Sequence, residues 1–460
     1  MPLTRTRTRE VSSGLAVPRR RSSGRSSALP IERSVLRNGL RVVTTHMPAA
    51  RSVAVGLFVG VGSRHEDAPR AGLSHFLEHL VFKGTAGYPE PGELSEAVEG
   101  CGGAVNASTD RELTVYSAKV PAVASDRGLE VVSELVLRPL LRHRDLTAEK
   151  PVIVDEIRMY EDSPGDHIFT LFDETLFGRH ALGREIAGTP RSVRRATHEG
   201  VIGHWGRWYQ PRHLVLAAAG AITHEAVRRT AEAWFDQPTP WLDGARRRVP
   251  QLTVAAPSPA RAGTVRVAYR RLAQGNLCLG MPGVARDDPD RWALDLLGAV
   301  LGDGMSSRLF LELRERRSLA YDVSTFAATY SDCGTFGVHA GFDPDQAGAV
   351  IAAIREQLER VVQEPVSAAE LERARAYTRG RLELRMEETS AVAAWLGTGE
   401  SLLPRILTVE EVVERLEAVT PEDMLRVARR CARPDQARLA LLGPYRSAAR
   451  FEKALTAGGA

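Results

Sequence analysis

In the first half of the chain, some segments have apolar residues at the spacing of strands and others have them at the spacing of helices. Residues 35–43 hold two short apolar runs around an Asn-Gly pair, which favours a tight hairpin turn. From residue 73 to 81 the apolar positions recur at helical spacing. The same reasoning predicts strands at residues 53–60, 104–120 and 214–219, and helices at residues 94–98, 125–137 and 149–160. The first half is therefore predicted to be an α+β unit in which strands come first.

The second half of the chain echoes the first. Residues 192–220 predict two helices, a Gln-Pro-Arg turn, a strand and a glycine, and residues 408–443 predict two helices, an Arg-Pro-Asp turn, a strand and a glycine. Proline, arginine and small residues dominate between the halves, as in a linker. We therefore expect two tandem homologous α+β units, each an antiparallel-rich sheet covered by helices on one face. The expected boundaries are a disordered basic tail at 1–32, domains at 33–236 and 261–448, a linker at 237–260 and a second tail at 449–460.

The composition is that of an ordinary globular protein. The chain has 460 residues, of which 43% are hydrophobic and 26% are charged, so two or more domains with a large core are expected. The net charge is only +4, and the basic residues are spread out without interleaved aromatics, which argues against nucleic-acid binding. The longest apolar runs, residues 53–62 and 214–222, are about half as long as a membrane span, so no span is expected.

The first thirty residues differ from the rest of the chain. They contain seven arginines, many Ser and Thr residues and one acid, Glu10, and they lack the apolar core of a secretory signal. A mitochondrial transit peptide has a similar composition. However, only four of the 61 basic residues in the whole chain are lysines, which indicates a GC-rich bacterial genome. We therefore expect a cytoplasmic bacterial protein, with the mitochondrial matrix as the alternative.

The helix predicted around residues 73–81 carries the main candidate chemistry. His75 and His79 are four residues apart and share a face, where two imidazoles can bind one zinc ion. Glu78 rises from nearly the same face and could act as a base toward water instead of binding the metal. The order His-x-x-Glu-His reverses the commoner zinc-protease motif. The alternative is an amphipathic helix whose two histidines have other partners.

A catalytic zinc site usually takes a third protein ligand. The four cysteines are far apart in sequence and none lies near the histidines, so neither a cysteine zinc site nor a disulfide framework is expected. Glu149 and Glu156 are better candidates, because they are seven residues apart and share a face of the predicted helix. A solvated acidic stripe would have the same spacing.

With residues 75–85 reading His-Phe-Leu-Glu-His-Leu-Val-Phe-Lys-Gly-Thr and residues 149–157 following at a matching distance, the chain resembles the pitrilysin/insulinase family of zinc peptidases. Its length is similar to the shorter branch, which includes the mitochondrial processing peptidase and its bacterial relatives. The resemblance implies that Glu78 is the catalytic base and that Glu149 is a carboxylate that orients a ligand. The zinc ligands that it implies, for one Zn²⁺ ion per chain, are His75, His79 and Glu156.

Two further segments carry the resemblance. Residues 103–109 resemble the strand on which the family lays substrate backbone, and Asn106 and Ala107 are the matching positions. An ordinary Asn turn is the alternative. Arg314 and Tyr321 match a pair that contacts substrate near the metal, where a guanidinium can hold a carbonyl and a phenol can donate to an oxyanion. The alternative is a basic helix end followed by a core tyrosine.

The resemblance implies a zinc metalloendopeptidase that cuts short or unfolded peptides, such as presequences or peptide precursors, in an enclosed chamber. Relatives of this length pair as clam-shell dimers. Because this chain carries both motif groups, a homodimer is expected in which Arg314 and Tyr321 reach the zinc of the partner chain, with a heterodimer as the alternative. Residues 292–301 of the second copy carry Leu and Ala in place of the zinc motif, so one site per chain is expected. A non-catalytic structural or partner subunit of the same fold is the other interpretation.

Overall fold

Two β-sheets, one in each half, organise the part of the chain that the computed structural model describes, residues 29–235 and 256–456. The strands of the first half are β1 (Ile31–Val35), β2 (Arg41–His46), β3 (Ser52–Val59), β4 (Ala104–Thr109), β5 (Thr114–Pro121) and β6 (Leu214–Gly220). Its helices are α1 (Leu73–Val81), α2 (Glu93–Glu99), α3 (Ser125–Leu137), α4 (His143–Asp162), α5 (Pro164–Phe177), α6 (Pro190–Arg195), α7 (His198–Trp208) and α8 (His224–Phe235).

The second half is built from similar elements. Its strands are β7 (Val265–Tyr269), β8 (Gly275–Gly283), β9 (Ala320–Thr329), β10 (Gly334–Phe342) and β11 (Arg438–Gly443). Its helices are α9 (Arg291–Leu301), α10 (Ala347–Gln363), α11 (Ala368–Arg385), α12 (Thr389–Leu402), α13 (Val409–Ala418), α14 (Pro421–Cys431) and α15 (Ala449–Thr456), and a π-helix runs from Phe310 to Arg316. Among the helices of the described ranges, none is both long enough and apolar enough to cross a membrane.

The two sheets have the same topology. Their strand orders are β1-β2-β6-β3-β5-β4 and β7-β11-β8-β10-β9. In each sheet one pair is parallel, β2 with β6 and β7 with β11, and the other pairs are antiparallel. Strands β2, β6, β3, β5 and β4 thus correspond in order to β7, β11, β8, β10 and β9, and β1 is an addition at one edge. The internal repeat and the antiparallel-rich α+β class predicted from the sequence are confirmed.

Each sheet packs one face against helices of its own half and the other face against a helix from the opposite half. Helix α12 lies across β2, β3 and β6 through Val392, Ala393 and Leu396. Reciprocally, α5 lies across β8 and β11 through Ile168 and Phe172. The predicted single helical face describes each half's own helices, and the exchanged pair was not predicted. The exchange has a physical cause, because the central strands are apolar on both faces: every residue of β6 is buried.

The ends of the domains differ from the predicted boundaries. Strand β1 begins at Ile31, inside the predicted tail 1–32, because its residues pair with β2. Helix α15 occupies most of the predicted tail 449–460, because Phe451 and Leu455 are one turn apart and both enter the core of the second half. Most of the predicted linker, like residues 1–28 and 457–460, lies outside the described residues, and the described part of it, 256–260, has no regular structure.

A buried ionic network joins the two halves. The Nη1 atom of Arg64 donates to Oε1 of Glu112 at 2.9 Å, and Nη1 of Arg286 in the second half donates to Oε2 of the same carboxylate at 2.6 Å. Arg64 also pairs with Asp332 of the second half at 2.5 Å. The side chains of Arg64 and Glu112 are only 3% and 6% exposed. A buried charge with two partners tolerates little displacement, so this network fixes the orientation of one half against the other.

Candidate metal centre

Helix α1 is held at its first turn by groups outside the helix. Gly72 precedes it with a φ of +94°, and a Cβ at this position would come 2.4 Å from the carbonyl oxygen of Ala187, so glycine is required. The carboxylate of Glu66 accepts hydrogen bonds from the backbone N–H groups of Gly72 and Ser74, each at 2.6 Å. Burial raises the pKa of Glu66 to about 7 despite these hydrogen bonds. Together the glycine and the carboxylate fix the direction in which α1 begins.

The apolar side of α1 orients the two histidines. The side chains that face the core are Leu73, Phe76, Leu77, Leu80 and Val81, and all are buried. His75 and His79 therefore lie together on the opposite face, with ring centroids 4.6 Å apart. Their side chains are 13% and 22% exposed, so the pair lies at the edge of the core with one side accessible.

Helix α4 brings Glu156 against the histidine pair. Its Oε1 atom lies 3.6 Å from Nε2 of His75, and its Oε2 atom lies 3.2 Å from Nε2 of His79. One donor atom from each of these residues lies within 4.8 Å of the other two. Two donors that each bind a tetrahedral zinc ion at about 2.0–2.1 Å are about 3.3 Å apart, so the spacing suits zinc. The buried Oε2 of Glu156 has no hydrogen bond to any described residue, which suits an atom that binds a cation.

A chain of charged groups continues outward from His79. Its Nδ1 donates to Oε1 of Glu149 at 3.0 Å, and Oε2 of Glu149 pairs with Nζ of Lys83 at 2.7 Å. This bond leaves Nε2 of His79 to carry the lone pair that a metal needs. Without a metal, burial lowers the pKa of His79, but the nearby carboxylates of Glu149 and Glu156 outweigh burial and raise the pKa to about 9.

The two carboxylates around the histidines are held ionised. His75 and then His79 keep the pKa of Glu156 far below its usual range. Burial raises the pKa of Glu149, but His79 and Lys83 lower it by more, so its pKa also lies below the ordinary value. The positive charge that these carboxylates need can come from a proton on the histidines or, in its place, from a divalent cation bound between them. The arrangement of these carboxylates and histidines is therefore one that could hold a cation.

Glu78 shares the accessible face of α1 and is bound by strand β4. The hydroxyl of Thr109 donates to Oε2 of Glu78 at 2.5 Å. Below it, the hydroxyls of Tyr116 and Tyr209 hydrogen-bond each other at 2.7 Å in the core. Burial raises the pKa of Tyr116, and Tyr209 and the charge of Glu78 raise it further. The carboxylate of Glu78 is thus beside the histidines, anchored at one oxygen, and separate from Glu156.

Strand β4 is the last strand of its sheet, so one of its edges is not paired by another strand of the described chain. Ala107 packs with the core on the metal side of the sheet. The Asn106 side chain points the other way, into a cavity of about 630 Å³ between the sheet and α12. Its Oδ1 accepts a hydrogen bond from the backbone N–H of Ala107 at 2.9 Å. The segment predicted to hold substrate backbone therefore forms an edge strand and not an isolated Asn turn.

Arg314 and Tyr321 lie in the second half of the chain, whereas the three candidate ligands lie in the first half. Arg314 is at the exposed end of the π-helix, with its guanidinium 4.9 Å from the ring of Phe310. Tyr321 is at the start of the edge strand β9, is 48% exposed, and donates to Oε1 of Gln274 at 2.8 Å. Tyr321 is therefore not a core tyrosine. No hydrogen bond or ion pair among the described residues links either side chain to the histidines or to Glu156.

Sequence reasoning missed three residues that contact or border this site. Lys83 pairs with Glu149, and Thr109 binds Glu78. The exposed Tyr160 lies on α4, one turn after Glu156. Burial raises the pKa of Tyr160, with a further contribution from Glu156. Helical spacing could have found Lys83, four residues after His79, and Tyr160. The strand alternation that puts Thr109 on the same face as Ala107 was also visible in the sequence.

Two family models match the chain. A model described as "Insulinase (Peptidase family M16)" matches residues 41–190, which include the metal centre. A model described as "Peptidase M16 inactive domain" matches residues 195–377. The two models together cover most strands of both sheets but not β1 or β11, and the boundary between them falls within α6.

Similar proteins occur in several bacteria. A protein of Streptomyces coelicolor with the name "uncharacterized zinc protease" is 38% identical over 403 residues, covering 87% of this chain and 86% of its own. Proteins described in the same words in Bacillus subtilis and Mycobacterium tuberculosis are 32% and 34% identical, over 90% and 94% of this chain.

The fold is also found in solved structures. A protease from Helicobacter pylori has a TM-score of 0.80 at 23% identity and covers 91% of this chain and all of its own. A peptidase M16 inactive-domain protein from Pseudomonas fluorescens has a TM-score of 0.80 at 19% identity, covering 91% of this chain and 99% of its own. A chain in complex III of Candida albicans has a TM-score of 0.77 at 17% identity, covering 93% of this chain and all of its own.

Proposed function

Because the chain belongs to the insulinase family of peptidases, family M16, we propose that it is a zinc-dependent endopeptidase of short or unfolded peptides. The observation that carries this proposal is the convergence of three metal-binding donors within 4.8 Å, beside a fourth group, Glu78, that is free of them. Two imidazoles and one carboxylate, with a carboxylate base nearby, are the groups that hydrolysis of a peptide bond at a metal needs.

His75, His79 and Glu156 would hold one zinc ion per chain. Zinc, when bound, supplies a Lewis acid that polarises a peptide carbonyl and acidifies water. Lys83 and Glu149 keep His79 in the tautomer that binds a metal through Nε2. The second half has no such cluster within its described residues, which supports one ion per chain.

Glu78 would serve as the base. One of its oxygens, Oε2, is occupied by Thr109, so Oε1 is left to take a proton from water and pass it to the leaving amine. This role requires the carboxylate to be ionised and close to the metal without binding it, and Glu78 lies between His75 and His79 on α1.

Substrate would bind as an added strand on the unpaired edge of β4, along Asn106 and Ala107. Main-chain hydrogen bonding of this kind needs an extended segment, which explains the expected preference for short or unfolded peptides over folded proteins. Arg314 and Tyr321 make their polar contacts with Glu315 and Gln274 and not with the candidate ligands of the described chain, and we propose that they complete the site of the partner chain in a clam-shell homodimer. The relatives from Streptomyces coelicolor and Bacillus subtilis are bacterial proteins, which supports a bacterial enzyme, for which we propose the cytoplasm.

Comparison of wild type with Glu78→Gln tests the proposal. Both proteins should bind about one zinc per chain by elemental analysis, because Glu78 is not a ligand. Cleavage of casein peptides should fall by about 100- to 10,000-fold in the variant, because a general base contributes a factor of this size. Glu156→Ala is the complementary control and should lose both zinc and cleavage. Unchanged cleavage by Glu78→Gln with zinc retained would contradict the role of Glu78.

A non-catalytic partner subunit is the second candidate function. The observation that favours it is the fold similarity to a chain in complex III of Candida albicans, together with the match to an inactive-domain model. Gel filtration of the protein expressed alone, followed by a peptidase assay on each fraction, separates the candidates. A homodimer peak that cuts peptides supports the enzyme. A zinc-loaded protein that cuts nothing alone but cuts after addition of a homologous subunit supports a heterodimer, and one that never cuts supports the structural role.

A further inference from the structure

The hydroxyl of Thr109 forms the one side-chain hydrogen bond that the described residues make to the carboxylate of Glu78. The two oxygen atoms are 2.5 Å apart, at the short end of the range for a hydrogen bond between a hydroxyl and a carboxylate. A carboxylate on a two-carbon stem can rotate, and a bond at one oxygen fixes the direction of the other oxygen. The bond therefore acts on the orientation of Glu78.

Thr109 lies where the proposed substrate-binding strand ends. It is the last residue of β4, the edge strand along which we propose that substrate backbone binds. Ala107 and Thr109 are two residues apart on one strand, so their side chains lie on the same face, toward α1. The strand that would set the position of the substrate backbone is thus the strand that holds the base.

We propose that Thr109 is a positioning residue that keeps Oε1 of Glu78 in register with a peptide added to β4. This inference rests on the proposed endopeptidase function. Helix α1 and strand β4 are separate elements, and a shift between them of the order of 1 Å would misalign a base and a scissile bond. The Thr109–Glu78 bond ties them together at the point where the alignment matters.

A purely structural role is the competing explanation, because a hydroxyl at a strand end can simply satisfy a nearby carboxylate. Thr114 supplies a matched control. It lies directly opposite Thr109 in the β4–β5 pair, is fully buried, and donates its hydroxyl to the backbone carbonyl of Val61 at 3.0 Å. Its hydroxyl also contacts the phenol of Tyr209, but it forms no hydrogen bond with Glu78, so its loss removes the same kind of group from the same hairpin and leaves the Thr109–Glu78 bond in place.

The test compares wild type, Thr109→Val, Thr109→Ser and Thr114→Val, all as zinc-loaded full-length protein. The substrate is one fluorogenic peptide chosen from a casein digest because wild type cuts it. Thr109→Val should lower kcat by about 10- to 100-fold, with KM within about threefold of wild type. Thr109→Ser keeps the hydroxyl and should recover kcat to within about threefold. Thr114→Val should lower the Tm and leave kcat near the wild-type value.

Zinc content and circular dichroism are measured on every variant, and Thr109→Ala replaces Thr109→Val if the valine variant does not fold. An active wild type with an unaffected kcat in the Thr109 variant overturns this inference alone. So does a serine variant as impaired as the valine variant, or a loss confined to KM. A zinc-loaded wild type that cuts no peptide overturns the endopeptidase function and this inference with it.

Discussion

The two halves of the chain share a fold but differ in what is buried at equivalent positions. Tyr116 in β5 and Phe336 in β10 each lie two residues into the strand that follows a four-residue turn, and both are fully buried. Tyr209 and Ala432 each lie two residues before the proline that precedes the last strand of the repeat, and both are buried. The first half thus buries two phenols under its α1 face, where the second half buries a phenyl ring and a methyl group.

The difference follows the chemistry of the neighbouring helix. Helix α1 places Glu78 near the phenols, whereas the buried residues of α9 are all apolar. A polar group at the edge of a core needs polar partners nearby, and an apolar helix needs none. One scaffold can therefore carry a candidate site in one copy and a plain core in the other.

The two halves are nevertheless joined by the buried ionic network, and the largest predicted effect tests that network. Glu112→Gln should lower the free energy of unfolding by about 3–5 kcal/mol, because Arg64 and Arg286 would lose the charge that compensates them at the boundary between the halves. The measurement is thermal and denaturant unfolding. Glu225→Gln, which removes an exposed pair on α8, is the control and should leave stability close to that of wild type. Equal costs for the two variants would mean that the network does not hold the halves together.

Exchange of the equivalent aromatic residues tests the difference between the cores directly. Phe336→Tyr should destabilise the second half by about 1–3 kcal/mol, because its new hydroxyl would be buried among apolar residues. Tyr116→Phe should cost about 1 kcal/mol, because it removes the hydrogen bond with Tyr209. Guanidinium unfolding measures both effects. If Phe336→Tyr leaves the free energy of unfolding unchanged, the core of the second half tolerates a buried hydroxyl and the proposed difference between the cores is wrong.

The smallest predicted effect concerns the second half alone and depends on pH. Glu370 binds Arg308 at 2.7 and 2.9 Å, and these hydrogen bonds lower its pKa to about 2. Because the folded pKa lies below the ordinary value of 4.5, the pair stabilises the fold above about pH 4.5, and this contribution is lost as the pH falls toward 2. Glu370→Gln should therefore cost about 1 kcal/mol at pH 7 and little at pH 2.5.

The pH series is checked by urea unfolding, with Glu417→Gln as the reference. Glu417 pairs with Arg379 at the surface, and its side chain is 55% exposed. Its replacement should change stability by only a few tenths of a kcal/mol at either pH. A Glu370 variant with the same cost at pH 7 and pH 2.5 would rule out the carboxylate as the source of the effect.

Much of the fold could be predicted from periodicity. The hairpin at residues 35–43, the helix at 125–137 and the repeat of two helices, a proline turn and a strand were all predicted and are confirmed. These elements have local causes, namely turn residues and apolar spacing. The packing of α5 and α12 was not predicted, because an apolar helix face does not reveal which of two sheets it will cover.

The sequence by itself determined that two imidazoles and a carboxylate share one face of α1, because helical spacing alone puts them there. It also determined that Glu149 and Glu156 share a face of α4. Only the tertiary structure decided their different places, with Glu156 against both histidines and Glu149 behind His79 and bound to Lys83. It alone also bound Glu78 to Thr109. The physical reason is that a helix fixes direction along its own axis, while the distance to a neighbouring element depends on packing across the whole core.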